Sequence, residues 1–210
     1  MWLDPEFHTD RLRIRVAQAG DGAALYRCIT SAAEQLTPWM SWMNPLPTEA
    51  GCEDFCRRVH ADYLYGKSLQ CLLWSRRDGS LAGFIGLMNI EWTLRHVEIG
   101  GWIHPKYAGQ SKEALEALVN YSFTKLKAKR VYMTIDDRNL AANTLARRAG
   151  FKLEGLLRNQ ELDAQKAWCN ICMWALVDSD VRGQPGGTVE PGTGAARSVT
   201  SVAVTAPLRA

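Results

Sequence analysis

Where His96-Val97-Glu98-Ile99-Gly100-Gly101-Trp102-Ile103-His104-Pro105 gives way to Tyr107-Ala108-Gly109-Gln110-Ser111, a strand-like run passes through small residues into a helical pattern. That pattern is Lys112-Glu113-Ala114-Leu115-Glu116-Ala117-Leu118-Val119. Such a turn leaves the first backbone N–H groups of the helix without partners, and the helix dipole behind them favours an anion. The chemistry this spacing offers is a seat for a phosphate. A second spacing, Cys169-Asn170-Ile171-Cys172, is metal-like but has no second pair. In a strand its two thiols face opposite ways. With Cys28, Cys52, Cys56 and Cys71 it is read as structural thiols of a reduced, cytoplasmic protein, against a metal or redox site.

The elements that must position the turn follow from periodicity. Arg11-Leu12-Arg13-Ile14-Arg15-Val16 alternates with period two, as a half-buried strand does. Asp21 and Gly22 precede a helical stretch to about Gln35. Leu36–Pro45, rich in Trp and Met, is either a lid over the core or a wall of a substrate cleft. Thr48 with Glu49 starts a helix that runs to about Tyr65 and ends at Gly66. Strands are predicted over Leu69–Arg76 and Leu81–Trp92, joined through Asp78-Gly79, and over Val97–Ile103. The helix after Ser111 aligns Ala114, Leu115, Leu118, Val119, Ser122, Phe123 and Leu126 on one stripe. Val131–Ile135 reads as a buried strand, and Asn139 caps a short helix that stops at Gly150. Phe151–Leu162 and Lys166–Val177 close the pattern as a pair of strands. Trp102, Trp168 and Trp174 are expected to pack in the core or on the sheet.

The chain of 210 residues can bury one substantial core. A net charge of +3 with scattered Lys and Arg argues against a nucleic-acid partner. No segment approaches the roughly 20 apolar residues of a membrane span, and the N-terminus lacks the pattern of a secretory signal. From about Asp178, Gly, Pro, Thr, Ser and Ala take over, so residues 1–178 are expected to form the domain and 179–210 a disordered tail. That tail could equally be an extension without a role.

The order and spacing of several motifs resemble the GNAT superfamily of N-acetyltransferases, and in detail its RimJ/RimL-like branch of protein N-terminal acetyltransferases. The resemblance covers about residues 8–178. It rests on Arg11-Leu12-Arg13-Ile14-Arg15, Glu98-Ile99-Gly100-Gly101-Trp102-Ile103, Glu113-Ala114-Leu115, and Asn139 with Arg148-Ala149-Gly150-Phe151-Lys152-Leu153-Glu154-Gly155. It implies an α/β (α+β) GNAT fold: a mixed, mostly antiparallel sheet of about six or seven strands, splayed in the middle and flanked by about four helices. It also implies acetyl-CoA as co-substrate. The pantetheine arm would pair like an added strand with the backbone at Gly101, Trp102 and Ile103, aided by Asn139 and Asn143 on the short helix. The pyrophosphate would sit on Gly109, Gln110, Ser111 and Lys112. Backbone N–H near Gly101 would stabilise the oxyanion.

Two parts of the chain depart from the family's pattern. Ser111 stands where the turn usually has a second glycine, and the stretch from Ile103 to Glu113 is about two residues shorter. Ala146 and Ala142 stand where family members carry a Tyr or a Ser as general acid. For the base, the resemblance offers Glu161 first, for N-terminal substrates, and Glu98 second. His96 and His104 read as strand-end residues. The implied reaction is direct transfer to a primary amine, with a peptide N-terminus favoured and an aminoglycoside or polyamine as alternative. A second alternative is a non-catalytic acyl-CoA-binding or interaction module. Family analogy allows a monomer or a homodimer.

Overall fold

A computed structural model describes residues 4–182 and the backbone of residues 203–204. Its elements are β1 (Glu6–His8), β2 (Leu12–Val16), α1 (Gly22–Ser31), α2 (Ala33–Leu36), α3 (Glu49–Leu64), β3 (Leu69–Ser75), β4 (Leu81–Glu91) and β5 (His96–Ile103). There follow α4 (Ser111–Thr124), β6 (Arg130–Asp136), α5 (Leu140–Arg148), β7 (Lys152–Leu162), β8 (Trp168–Val177), α6 (Asp178–Arg182) and β9 (Ala203–Val204). Eight strands run in the order β1-β2-β3-β4-β5-β6-β8-β7, and β9 pairs with β5. Among the described residues only β5 and β6 lie parallel, so the sheet is mixed and mostly antiparallel as expected. The strands and helices outnumber those predicted because β1, β9, α2 and α6 are too short to carry a readable period. Much of the expected tail lies outside the described residues. Of the rest, 179–182 continue α6, and 203–204 form β9.

Each face of the sheet has its own core. Alternate residues of β5 and β6 (Val97, Ile99, Ile103, Val131, Met133, Ile135) meet Ala114, Leu115 and Leu118 of α4. The opposite face gives Leu72, Phe84 and Trp102 to α1 and α3, which contribute Leu25, Ile29, Phe55 and Val59. The stripe read on α4 is buried at Ala114, Leu115, Leu118 and Ser122 and half-buried at Val119 and Phe123. Tyr121 joins it by stacking on Phe7 and accepting a hydrogen bond from the Asp4 amide at 2.7 Å.

Local signals held at three helix ends. The Thr48 hydroxyl accepts from Gly51 N at 3.0 Å, Asn139 Oδ1 accepts from Ala142 N at 3.1 Å, and Gly150 stops α5 at φ +87. The first helix differs. It breaks at Ala32 (φ −111, ψ 11), short of the expected Gln35, and the Asp21 side chain makes no hydrogen bond to its first turn. Asp21 instead holds Arg15 at 2.6 Å, and Glu53 on α3 takes over, accepting from Gly20 N at 2.9 Å and Gly22 N at 3.1 Å. Gly22 permits this because a Cβ there would lie 2.5 Å from Glu53 Cα. The Leu36–Pro45 connection covers the core: Met40 and Met43 are buried in the α1/α3 cluster, with Trp39 and Trp42 packed against it.

Candidate active site

The parallel pairing of β5 with β6 stops early. His96, Val97 and Glu98 pair with Arg130, Val131 and Tyr132, and β6 gives β5 no further partner. From Ile99 onward the sheet is splayed. The gap lies under α4 and α5, with Gly101, Ile103, Ser111, Leu115, Met133 and Leu145 around a cavity of about 40 Å³ whose walls are almost wholly apolar. Gly101 is needed for the packing of β4, since a Cβ there would lie 2.3 Å from Phe84 O. Along the open edge, β9 runs antiparallel to β5, Val204 opposite Gly101 and Ala203 opposite Trp102.

Glu98 marks the closed end of the splay. It is half-buried, and its two carboxylate oxygens accept from Asn89 Nδ2 at 2.6 Å and Thr134 Oγ1 at 2.9 Å. It thereby ties β5 to the end of β4 and to β6 at the last paired rung.

The turn at the open end is not the glycine bend the sequence suggests. Pro105–Gln110 forms a 3-10 helix that runs straight into α4, with Ser111 at φ −58, ψ −44. Gly109 does not take a positive φ, and its Cβ position faces open space. The shorter chain between β5 and α4 leaves no residue for the bend, so the backbone coils directly into the helix. Arg11, just before β2, clamps this arrangement. Its backbone N and Nε donate to Glu113 at 2.9 and 2.6 Å, and its Nη2 donates to Gly109 O at 3.0 Å. Ser111 is buried and donates its hydroxyl to Ala108 O at 2.6 Å. Gln110 Oε1 is buried without a hydrogen-bond partner among the described residues. Lys112 is half-exposed and pairs with Glu116 at 2.9 Å.

His104 caps the 3-10 helix, its Nδ1 accepting from Lys106 N at 3.1 Å. The Ser31 hydroxyl donates to Arg27 O and Cys28 O, so it accepts from His104 Nε2 at 3.2 Å and the ring is neutral. Burial, helped by the Lys106 charge, holds the His104 pKa below 6.5.

Glu161 lies elsewhere on the sheet. Side chains of Val131, Met133, Ile135 and Trp174 enter the α4/α5 core, so Glu98, Thr134 and Met173 face the other way. Glu161 pairs with Cys169, in step with Met173, and projects from that same face. It lies past a register shift after Leu157, where Asn159 takes φ +49. The strand register puts Glu98 level with Tyr132, whereas Glu161 lies beyond Asp136. The two carboxylates are thus roughly 20 Å apart along the strand direction. They cannot both serve one transfer.

Asn139 and Asn143, expected to aid the co-substrate, do not line the cavity. Asn139 is buried at the start of α5, and Asn143 Nδ2 donates to Asp136 O and Asn139 O, both at 2.9 Å. Asn143 Oδ1 accepts from Trp174 Nε1 at 2.8 Å, so its amide braces α5 against β6 and β8. Ala142 and Ala146 are fully buried and offer no proton. Trp102 and Trp174 are buried as expected, but Trp168 is 64% exposed at the start of β8, where no helix covers it.

All six cysteines are unpaired, and no group of His, Cys, Asp and Glu able to hold a metal occurs among the described residues. Burial pushes the thiols up, Cys52 to about 11 and Cys28 to about 12, which makes them poor nucleophiles. No helix among the described residues is long and apolar enough to cross a membrane.

Sequence reading missed two braces, Arg11 on the turn and Arg138 on the β7–β8 hairpin. Arg138 donates to Asp136 through Nε at 2.9 Å and Nη2 at 2.6 Å, and Nη2 also reaches Asp163 at 3.0 Å. Asp163 in turn accepts from Gln165 N and Ala167 N within the hairpin.

A sheet that opens between two parallel strands, with an apolar slot under two helices and a helix N-terminus at its mouth, defines the class of acyl-CoA-dependent N-acyltransferases. The family model described as the acetyltransferase (GNAT) domain matches residues 11–152, and the chain belongs to that family. It is therefore an acetyltransferase that uses acetyl-CoA, with RimL/RimJ-like relatives. It is 30% identical to the Bacillus subtilis protein YdaF, a ribosomal N-acetyltransferase by name, over 156 residues, covering 71% of this chain and 82% of YdaF. It is 26% identical to the ribosomal-protein-serine acetyltransferase of Escherichia coli over 159 residues, 74% of this chain and 87% of that protein. Its fold matches a structure of RimL, the ribosomal L7/L12 alpha-N-protein acetyltransferase, in complex with coenzyme A, at a TM-score of 0.75. That match has 20% identity and covers 80% of this chain and 95% of the other.

The slot fits the co-substrate. Its apolar walls suit a pantetheine arm, which would pair with the β5 backbone at Gly101, Trp102 and Ile103 once β9 leaves that edge, and Lys112 would face the pyrophosphate, since the Ser111 N–H already donates to Ala108 O.

Proposed function

We propose that this acetyltransferase modifies the α-amine of a protein or peptide N-terminus, with Glu161 as the base that receives the ammonium proton, directly or through water. One observation carries the reading. The helices α1 and α3 cover the sheet face only as far as Trp102, so the face bearing Glu161 across β6, β8 and β7 lies outside that helical cover. A face outside that helical cover suits a chain end that continues away from the enzyme, where a small amine would call for an enclosed pocket. The relatives named for ribosomal proteins support the same direction.

Acetyl-CoA supplies, when bound, an activated acetyl thioester that an uncharged amine can attack. Backbone N–H at Gly101 would steady the developing oxyanion, and the Asn143 brace keeps α5 in place over the slot. Neither Ala142 nor Ala146 can protonate the departing thiolate, a role left to solvent. Glu98 is assigned to holding the closed end of the splay, and it stands as the alternative base.

Residues 1–178 are read as the catalytic domain, with reduced thiols suiting the cytoplasm. The exposed Leu153, Leu156 and Leu157 on the edge strand β7 favour a homodimer over a monomer. No nucleic-acid or membrane partner is invoked.

The test is acetyl transfer to a panel of peptides with free or blocked N-termini, alongside spermidine and an aminoglycoside. Free peptide N-termini should react and blocked ones should not. Turnover confined to spermidine or the aminoglycoside would overturn the peptide assignment.

A further inference from the structure

The open edge of β5 carries more than a slot for a co-substrate. Once β6 leaves it after Glu98, β5 presents a row of backbone donors and acceptors facing the splay, and an edge of that kind templates a new strand. In the structure a strand is already seated there. Val204 lies opposite Gly101 and Ala203 opposite Trp102, antiparallel, at the residues against which the pantetheine arm is read.

We propose that this edge is a strand-addition site for the chain's own C-terminal segment, and that this segment excludes acetyl-CoA while it is seated. The proposal rests on the reading that acetyl-CoA uses the splay. Pantetheine is a chain of two amides, so it asks of β5 the same alternation of donors and acceptors that a peptide strand asks. Both occupants need the same backbone groups, and only one can have them.

The segment suits the place. Ala203 and Val204 are small and uncharged, as an inserted strand in a narrow apolar gap requires, and the sequence around them carries no charge from Ser198 to Leu208. Because it is part of the same chain, its binding is intramolecular and needs little intrinsic affinity to compete. Measured affinity for acetyl-CoA then falls by the ratio of seated to unseated tail. Anything that draws the C-terminus away, including a protein partner, would raise that affinity without touching the site.

The experiment uses the full chain beside its double variant Ala203→Pro, Val204→Pro. Proline removes the backbone N–H at both pairing positions and leaves residues 4–182 unchanged. Amide exchange read residue by residue across Ile99–Ile103 reports the seat, and titration with acetyl-CoA reports the competition. Exchange about tenfold faster in the variant at amides not bonded to β4, with Kd about tenfold tighter (about 1.4 kcal/mol), is the expected pair of results. Identical exchange in the two proteins would mean that the tail does not sit on β5. Faster exchange with unchanged Kd would mean that it sits there without competing. Absence of acetyl-CoA binding by both proteins would sink the competition together with the co-substrate's place in the splay, while the exchange data still locate the tail.

Discussion

Arg138 Nη2 reaches Asp163 Oδ2 at 3.0 Å while the same guanidinium grips Asp136, so one side chain fixes the β7–β8 hairpin to the end of β6. Asp163 is almost fully buried as a side chain, whereas Arg138 is half-exposed, which limits what the pair adds to global stability. Its value is positional, because the hairpin carries Glu161. Arg138→Met is expected to cost about 1 kcal/mol or less in denaturant unfolding. Acetyl transfer to peptides should lose several-fold in kcat/KM with acetyl-CoA affinity unchanged. Equal losses in both would make Arg138 a general structural residue.

The roughly 20 Å between the two glutamates separates their roles experimentally. Glu161→Gln should lower kcat by about 10²–10⁴ at neutral pH while the protein melts as the parent does. Glu98→Gln removes a charged acceptor of two hydrogen bonds and should destabilise by about 1–3 kcal/mol, with a smaller effect on kcat in the protein that remains folded. The reverse ranking of kcat would transfer the base role to Glu98.

Ser111 has helical torsions and donates its hydroxyl to Ala108 O, so glycine there relieves no strain. Ser111→Gly is expected to destabilise by about 1 kcal/mol through lost helix propensity and the lost bond. Acetyl-CoA binding, followed by calorimetry, should stay equal or weaken. A clear gain in affinity would show that the turn needs a glycine bend after all.

His104 gives a pH signature. Its folded pKa is lowered, so between that value and 6.5 the unfolded chain binds the proton and the folded one does not. Its stabilising contribution is complete above about pH 6.5 and declines as pH falls through the window beneath. His104→Asn keeps an acceptor for Lys106 N and removes the titration. The stability difference between parent and variant should therefore shift against the parent from pH 7.5 to pH 5, by urea unfolding. A constant difference would mean that His104 accepts its proton as readily folded as unfolded.

What the sequence determined by itself was local. Strand and helix order, the Thr48 and Asn139 caps, the Gly150 stop and the buried stripe of α4 depend on neighbours within a few residues, and periodicity records such neighbours. The splay could be located from Glu98-Ile99-Gly100-Gly101-Trp102-Ile103 through its family resemblance, and the structure opens the sheet at that run. Tertiary structure decided the rest. The turn became a 3-10 helix held by Arg11, about a hundred residues earlier in the chain. Glu53 on α3 took the N–H groups ahead of α1, and Glu98 became a brace between three strands. The distance between Glu98 and Glu161 exists only once β8 lies between β6 and β7. Such relationships join residues far apart in the chain, and local pattern carries no record of which distant partner a side chain will meet.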